Sequence, residues 1–457
     1  MLGSQRFSAA LVAVVLLSAC SSGGSGQIPP GVAPARGAAS EPGRNHRAPA
    51  QIQHIVLMIQ ENRSFDNLFG TYPGADGATS GKMHTGNVIP LKKVGLAALD
   101  INHTYPTYLQ DYDNGNMDGF DLSKMGTGQR AGKYPYQYVD PAKIQPYWTI
   151  AQTYVLADHM FQTQGSGSFT AHQDLIAGGT AIDANDSIVD DPSSSWSWGC
   201  DSRPSTVTSL ITTGGQYLFD QGPFPCFTYP TGTLRDLLDA HQVSWRYYTP
   251  PHKGNTDGAL WNAFDAIPAV RNGPEWTTNI SIPEKNIFTD ITNGQLPALS
   301  WVIPSQVDSD HPQKLNSEYD GPSWVASVVN AIGQSKYWNT TTIVIVWDDW
   351  GGFYDHEPPA FFDNAGGLGF RVPMLVVSPY VVPGQITHTQ YEFGSILKYV
   401  EQTFGLGSLG TTDVRAKSIA SLINLNRPPL PFNPIPSERS RRYFMHQAPS
   451  YEPVDTQ

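Results

Sequence analysis

The first apolar run in the folded part of the chain covers residues 52–59 and stops abruptly at Gln60-Glu61-Asn62. A run this short cannot cross a bilayer, and its near-continuous apolarity fits a strand covered on both faces. A second run, Thr341–Trp347, is richer in β-branched residues and stops at Asp348-Asp349. Weaker runs over residues 243–249, 296–303 and 371–377 predict further strands. Apolar positions three and four apart predict helices over residues 64–72, 233–242, 323–332 and Phe393–Phe404, and another opening near Ser168. Strands alternating with helices imply an α/β fold, with a central, mostly parallel sheet flanked by helices and interrupted by loop insertions.

The flanks read differently. Arg6, an apolar segment over residues 11–17 and then Leu17-Ser18-Ala19-Cys20 have the layout of a secretory signal over residues 1–19. The segment resembles a bacterial lipoprotein signal, which implies a lipid on Cys20, export and a membrane anchor on the periplasmic or cell-surface face. An ordinary cleaved signal is the alternative. Residues 20–50 are mostly Ser, Gly, Pro and Ala and read as a flexible linker. One large domain is expected over residues 51–426, followed by a Pro-rich tail, 427–457, lying along the surface. Within the domain, residues 183–232 read as an insertion containing Cys200 and Cys226. In an exported chain a disulfide between these two is the economical inference, with two free thiols as the alternative. The formal net charge of -12, without any Lys/Arg-rich run, excludes a general nucleic-acid partner.

The ends of the two strongest runs carry the candidate chemistry. Adjacent carboxylates behind a buried strand are costly unless a positive charge lies beside them, and a divalent cation is the usual remedy. Glu61-Asn62 ends the other run in the same way, although the stretch also reads as a polar turn capping the next helix. Hard oxygen donors with one amide suit Ca, Mg, Mn or a similar divalent ion, Zn included. Gly165-Ser-Gly167-Ser168 leads into a helical pattern, so Ser168 is expected at a helix N-terminus, where free N–H groups and the dipole favour an anion or a nucleophilic alkoxide. A simple N-cap serine is the alternative there. No Gly-x-Ser-x-Gly elbow surrounds Ser168. The acidic stretch from Asp111 to Gly119 lacks the closing Glu of a calcium loop and reads as a turn.

Four segments together carry a family resemblance. They are Gln60-Glu61-Asn62-Arg63-Ser64-Phe65-Asp66, the His103 region with Met117-Asp118-Gly119-Phe120, Asp310-His311-Pro312, and Asp348-Asp349-x-Gly-Gly-Phe-Tyr-Asp355-His356-x-Pro-Pro. The body of the chain resembles the bacterial phosphoesterase family of acid phosphatases and non-haemolytic phospholipases C, within the alkaline phosphatase superfamily. The resemblance implies an alkaline phosphatase-like fold and a divalent metal on Glu61, Asn62, Asp348 and Asp349. It also implies Ser168 as the nucleophile of a phosphoserine intermediate, and His103 and His311 as catalytic groups on the transferred phosphoryl. His356 matches a family position near the substrate, and His172 either orients the nucleophile loop or packs. Phospholipase C members often carry Thr, Asn and Glu where this chain has Ser168, Ala171 and Asp349, so these residues lie closer to the acid phosphatase branch. The expected function is therefore a metal-dependent phosphoesterase acting on phosphomonoesters, with a phospholipase C as the alternative. A surface lipoprotein that binds phosphate or metal without catalysis is the reading from another class. The partners implied are a phosphate-ester small molecule or a phospholipid, and a membrane through the lipid anchor.

Overall fold

The computed structural model describes residues 51–313, 317–360, 367–451 and 453–454. The signal segment, the linker and Cys20 lie outside the described residues.

Eight strands build the central sheet: β1 (His54–Gln60), β2 (Val155–Ala157), β3 (Trp245–Tyr248), β4 (Ile280–Ser281), β5 (Leu299–Val302), β6 (Thr341–Trp347), β7 (Met374–Val377) and β8 (Gln385–Thr387). Their spatial order is β4-β3-β5-β1-β6-β7-β2-β8. The pairs from β4 through β6 are all parallel, and β8 is parallel to β2. Strand β7 alone runs against both of its neighbours. The sheet is therefore mostly parallel, as the alternation of strands and helices implies. β7 is also shorter than its apolar run, because Pro373, which has no N–H for a ladder, stands just before Met374.

Helices cover the sheet: α1 (Phe65–Phe69), α2 (Tyr105–Tyr112), α3 (Ser168–Ala177), α4 (Asp320–Gly333) and α5 (Phe393–Phe404) are the ones that matter below. Ile55 to Ile59 of β1 are each at most 2% exposed. At roughly 1.5–3 kcal/mol for each fully buried side chain, that strand is a main anchor of the core. All ten residues of α3 are buried, which explains why its apolar pattern looks weak in sequence: no face of it meets solvent.

Residues 183–232 contain a small antiparallel sheet (Asp186–Val189, Ser209–Thr212 and Tyr217–Leu218). Cys200 and Cys226 are disulfide-bonded there, with Cα atoms 4.5 Å apart. The Pro-rich tail does more than lie on the surface. Ile435, Phe444 and Val454 are buried, and the Phe444 ring packs edge-on against Trp324 of α4 at 5.4 Å.

Parallel pairing places the carboxyl ends of β5, β1 and β6 along one edge of the sheet, where open α/β folds bind their ligands. In the β1–β6 register Gln60 lies opposite Trp347, so Glu61 and Asp348 leave the sheet side by side.

Candidate active site

The two acidic strand ends are tied to each other before any ligand is considered. The Asn62 N–H donates to Asp348 Oδ1 at 2.8 Å, and the Asp348 N–H donates to the Gln60 carbonyl at 2.9 Å. Asn62 sits at φ 57°, a left-handed conformation that asparagine tolerates better than most side chains. Gly351 is at φ 60°, and a Cβ there would lie 2.3 Å from the Asn62 carbonyl oxygen. Only glycine lets the second loop approach the first this closely.

Helix α3 delivers the nucleophile candidate into that junction. Ser168 is its first residue, behind Gly167, and its Oγ–H donates to Asp349 Oδ2 at 3.1 Å. Asp349 Oδ1 accepts the Gly351 N–H at 2.7 Å, so both of its oxygens have protein partners. One helical turn after Ser168, His172 Nε2 lies 3.2 Å from Glu61 Oε1 and 3.8 Å from Asp348 Oδ2. The Phe169 N–H, one of the free donors of the first turn, goes to Asp191 Oδ1 at 2.9 Å.

His103 orients Asn62. Its Nδ1–H donates to the Ile101 carbonyl at 2.6 Å, which leaves the lone pair on Nε2, and Asn62 Nδ2–H donates to that nitrogen at 2.9 Å. The amide is thereby forced to turn its Oδ1 the other way. His103 Nε2 also lies 3.7 Å from Asp349 Oδ2. His311 follows β5, and its ring packs 5.6 Å from that of Trp261. Its neighbour Asp310 is clamped by four bonds. The Asp310 N–H donates to Gln60 Oε1, Arg63 Nε–H donates to the Asp310 carbonyl, and Tyr147 and Trp347 both donate to Oδ2.

The charges in this junction do not balance on their own. Burial, followed by the charge of Asp348, holds the Glu61 carboxyl well above the usual range, and the same two causes raise Asp349. Burial pushes Asp191 up to about 6. Burial lowers His172 to about 4 against the pull of Asp348, so the imidazole is neutral near pH 7, the form that binds a metal. His311 is lowered to about 3, first by burial and then by the charges of His103 and Arg63.

A divalent cation fits what the residues leave unsatisfied. Glu61 Oε2, Asn62 Oδ1 and Asp348 Oδ2 are buried without a hydrogen-bond partner, a state that costs about 1–3 kcal/mol per group. Glu61, His172 and Asp348 each offer a ligand atom within 4.8 Å of the others. Two carboxylates, an amide oxygen and an imidazole form a donor set for a hard or borderline divalent ion. Of the four metal ligands expected from sequence, Glu61 and Asp348 are in this group. Asn62 borders it with a free oxygen, and Asp349 is turned toward Ser168. Residues 52–407 match the model of the Phosphoesterase family.

The chain belongs to that family.

Among the relatives of this chain is the non-hemolytic phospholipase C of Pseudomonas aeruginosa, 24% identical over 79% of this chain and 55% of its own length. Phospholipase C B of Mycobacterium tuberculosis is 22% identical over 84% of this chain and 80% of its own. Non-specific phospholipase C3 of Arabidopsis thaliana is 22% identical over 82% and 74%. The chain thus spans little more than half the length of the Pseudomonas relative.

His356 stands in different company from the other predicted site residues. Among the described residues, its ion pairs go to Asp66 and Asp76, and the Arg371 guanidinium lies 3.1 Å from its Nδ1. His172 received no definite role from sequence and Asp191 was not singled out at all. The signal for His172 is its i+4 spacing from Ser168, which puts both on one face of a helix. Asp191 offers only an acidic pair, Asp190-Asp191, in a segment that reads as insertion.

Proposed function

We propose that the protein hydrolyses phosphate esters with Ser168 as nucleophile, and that phosphomonoesters are its preferred substrates. The observation that carries this reading is the Ser168 Oγ–H bond to Asp349 at 3.1 Å, made beside the partnerless oxygens of Glu61, Asn62 and Asp348. A cation held by Glu61, Asp348 and His172, with Asn62 Oδ1, would neutralise phosphoryl charge and make the serine hydroxyl easier to deprotonate.

The side chains then have distinct tasks. With a cation bound and its carboxylate ionised, Asp349 Oδ2 would receive the hydroxyl proton as Ser168 Oγ bonds to phosphorus, and the leaving alkoxide would take a proton from solvent as its bond to phosphorus breaks. Apart from the Phe169 N–H, which Asp191 takes, the first-turn N–H groups of α3 would serve the developing negative charge. His311 flanks the phosphoryl group as an uncharged hydrogen-bonding partner, whereas His103, with both ring nitrogens engaged by Ile101 and Asn62, acts on it through the Asn62 amide that it orients. Water then cleaves the phosphoserine and regenerates the hydroxyl.

Ser168, Ala171 and Asp349 favour the monoester, whereas the relatives are named phospholipases C. Phospholipid diesters are therefore the second reading. The test is to supply purified protein with Mg, Ca, Mn or Zn and measure phosphate release from an aryl phosphomonoester and phosphocholine release from phosphatidylcholine vesicles. Monoester turnover is the expected result. Turnover of the phospholipid alone would replace it by the second reading, and stoichiometric phosphate binding without any product would remove catalysis altogether. Export and lipid attachment at Cys20 belong to the same proposal. They predict that Cys20→Ser releases the protein from the membrane fraction of the producing cell.

A further inference from the structure

Away from the Ser168 junction a second group of metal-ligating side chains gathers where the loop after α1 meets the loop after β6. Asp76, His356 and Glu357 each present a ligand atom, all within 4.8 Å of one another, and each residue is partly open to solvent. His356 Nε2 lies 3.3 Å from Asp76 Oδ1, and His159 Nε2 approaches the other oxygen of the same carboxylate at 2.8 Å.

What separates this group from an ordinary surface ion pair is the layer beneath it. Asp66 accepts both the backbone N–H of His356, at 2.9 Å, and its Nδ1–H, at 2.7 Å. The imidazole is thus held with Nε2 pointing at Asp76, the arrangement in which a carboxylate behind a histidine fixes its tautomer for a metal in front. Asp355 Oδ1 accepts the Glu357 N–H at 3.0 Å, and Asp158 Oδ2 accepts the Asp76 N–H at 2.8 Å. Each of the three front residues is therefore carried by its own fully buried carboxylate, Asp66, Asp355 or Asp158. Arg371 is ion-paired to Asp66 and Asp355, and its guanidinium also donates to the carbonyls of Asp76 and Asp158. Against these five carboxylates stand the Arg371 guanidinium and three histidines, His159 and His356 on Asp76 and His388 on Asp158.

We infer that Asp76, His356 and Glu357, with His159 adjacent, form a second, structural site for a divalent ion of the zinc class, pinning the loop after α1 to the loop after β6. Mixed imidazole and carboxylate donors select a borderline ion such as zinc over calcium or magnesium. The two loops it would join descend from the strand ends that carry Glu61-Asn62 and Asp348-Asp349, so the ion would brace the nucleophile junction without touching substrate.

The test uses the full chain, stripped with a chelator, with Zn²⁺ alone as the probe. In a Glu61→Gln/Asp348→Asn background, which disables the first group, one equivalent of zinc is expected to remain bound after gel filtration and to raise the melting midpoint. Adding Asp76→Ala should abolish both effects. Glu357→Gln, at a partly exposed position where misfolding is not a concern, should weaken zinc retention at least tenfold. The inference is overturned if the background variant retains no zinc, or if Asp76→Ala and Glu357→Gln bind and melt as their parent does. Neither readout depends on turnover, so the result stands apart from the proposed activity.

Discussion

Ser168 is the residue on which the chemistry depends, and its replacement is the most direct probe. Ser168→Ala removes the only atom proposed to bond to phosphorus while leaving a helix N-terminus that alanine accepts. Turnover should fall on the order of 10³-fold or more with the melting temperature nearly unchanged, measured by phosphate release and thermal denaturation. Gly351 makes the opposite prediction. A side chain there meets both an unfavourable φ and the Asn62 carbonyl at 2.3 Å, so Gly351→Ala should cost about 1–3 kcal/mol of stability. It should also weaken divalent-metal binding, because the loop must back away from Asn62; isothermal titration would report the loss. His172→Ala should lower metal affinity at least about tenfold, since its neutral imidazole is one of the group's donors. Unchanged affinity would reduce His172 to a packing residue. At this scale the sequence was informative about which residues are polar at apolar run ends, and silent about where their atoms point. The orientation of the Asn62 amide follows from the His103 tautomer, which follows in turn from a bond to the Ile101 carbonyl.

At the scale of elements, the strongest local patterns were read to the residue. β6 and α5 have the bounds their patterns predict, because a β-branched run and a one-sided apolar stripe are each decided locally. α2 was missed: it is short, Pro-containing and rich in tyrosine, and three of its eight side chains are buried. The insertion between residues 183 and 232 is held by a disulfide whose cysteines are 26 residues apart. Loop-closure entropy for a segment of that length is worth about 3 kcal/mol. Reduction, or Cys200→Ser with Cys226→Ser, should therefore lower the unfolding free energy by about that amount in a denaturant titration. Because Asp191 caps α3 from this same insertion, the double substitution should also slow phosphate release.

For the whole molecule, buried carboxyls make the metal-free protein sensitive to alkali. Burial raises Asp190 and Asp308 to about 7 and Glu284 to about 8, and it raises Glu61 and Asp349 in the same direction. These groups keep protons in the fold that the unfolded chain releases above about pH 4, so their stabilisation is complete below that value and is lost as pH rises toward 8. His172 and His311, lowered to about 4 and about 3, act the other way: below about pH 6.5 the unfolded chain binds protons the fold refuses. Stability in chelator should therefore be higher near pH 5.5 than near pH 8. A saturating divalent cation should shrink the difference, because it makes ionised Glu61 and Asp348 favourable in the fold. Equilibrium denaturation at the two pH values, with and without metal, checks both statements.

The sequence by itself determined that this is an α/β chain with two buried strands ending in acids, a serine opening a helix and a pair of cysteines. Those features rest on local periodicity and residue type, which act over a few positions. Only the tertiary structure decided that Asn62 bonds Asp348 across 286 residues, that His172 turns toward Glu61, and that His356 joins Asp66 and Asp76 instead of Ser168. Strand order is set by which long-range packing buries the most surface at once. No run of neighbouring residues carries that information.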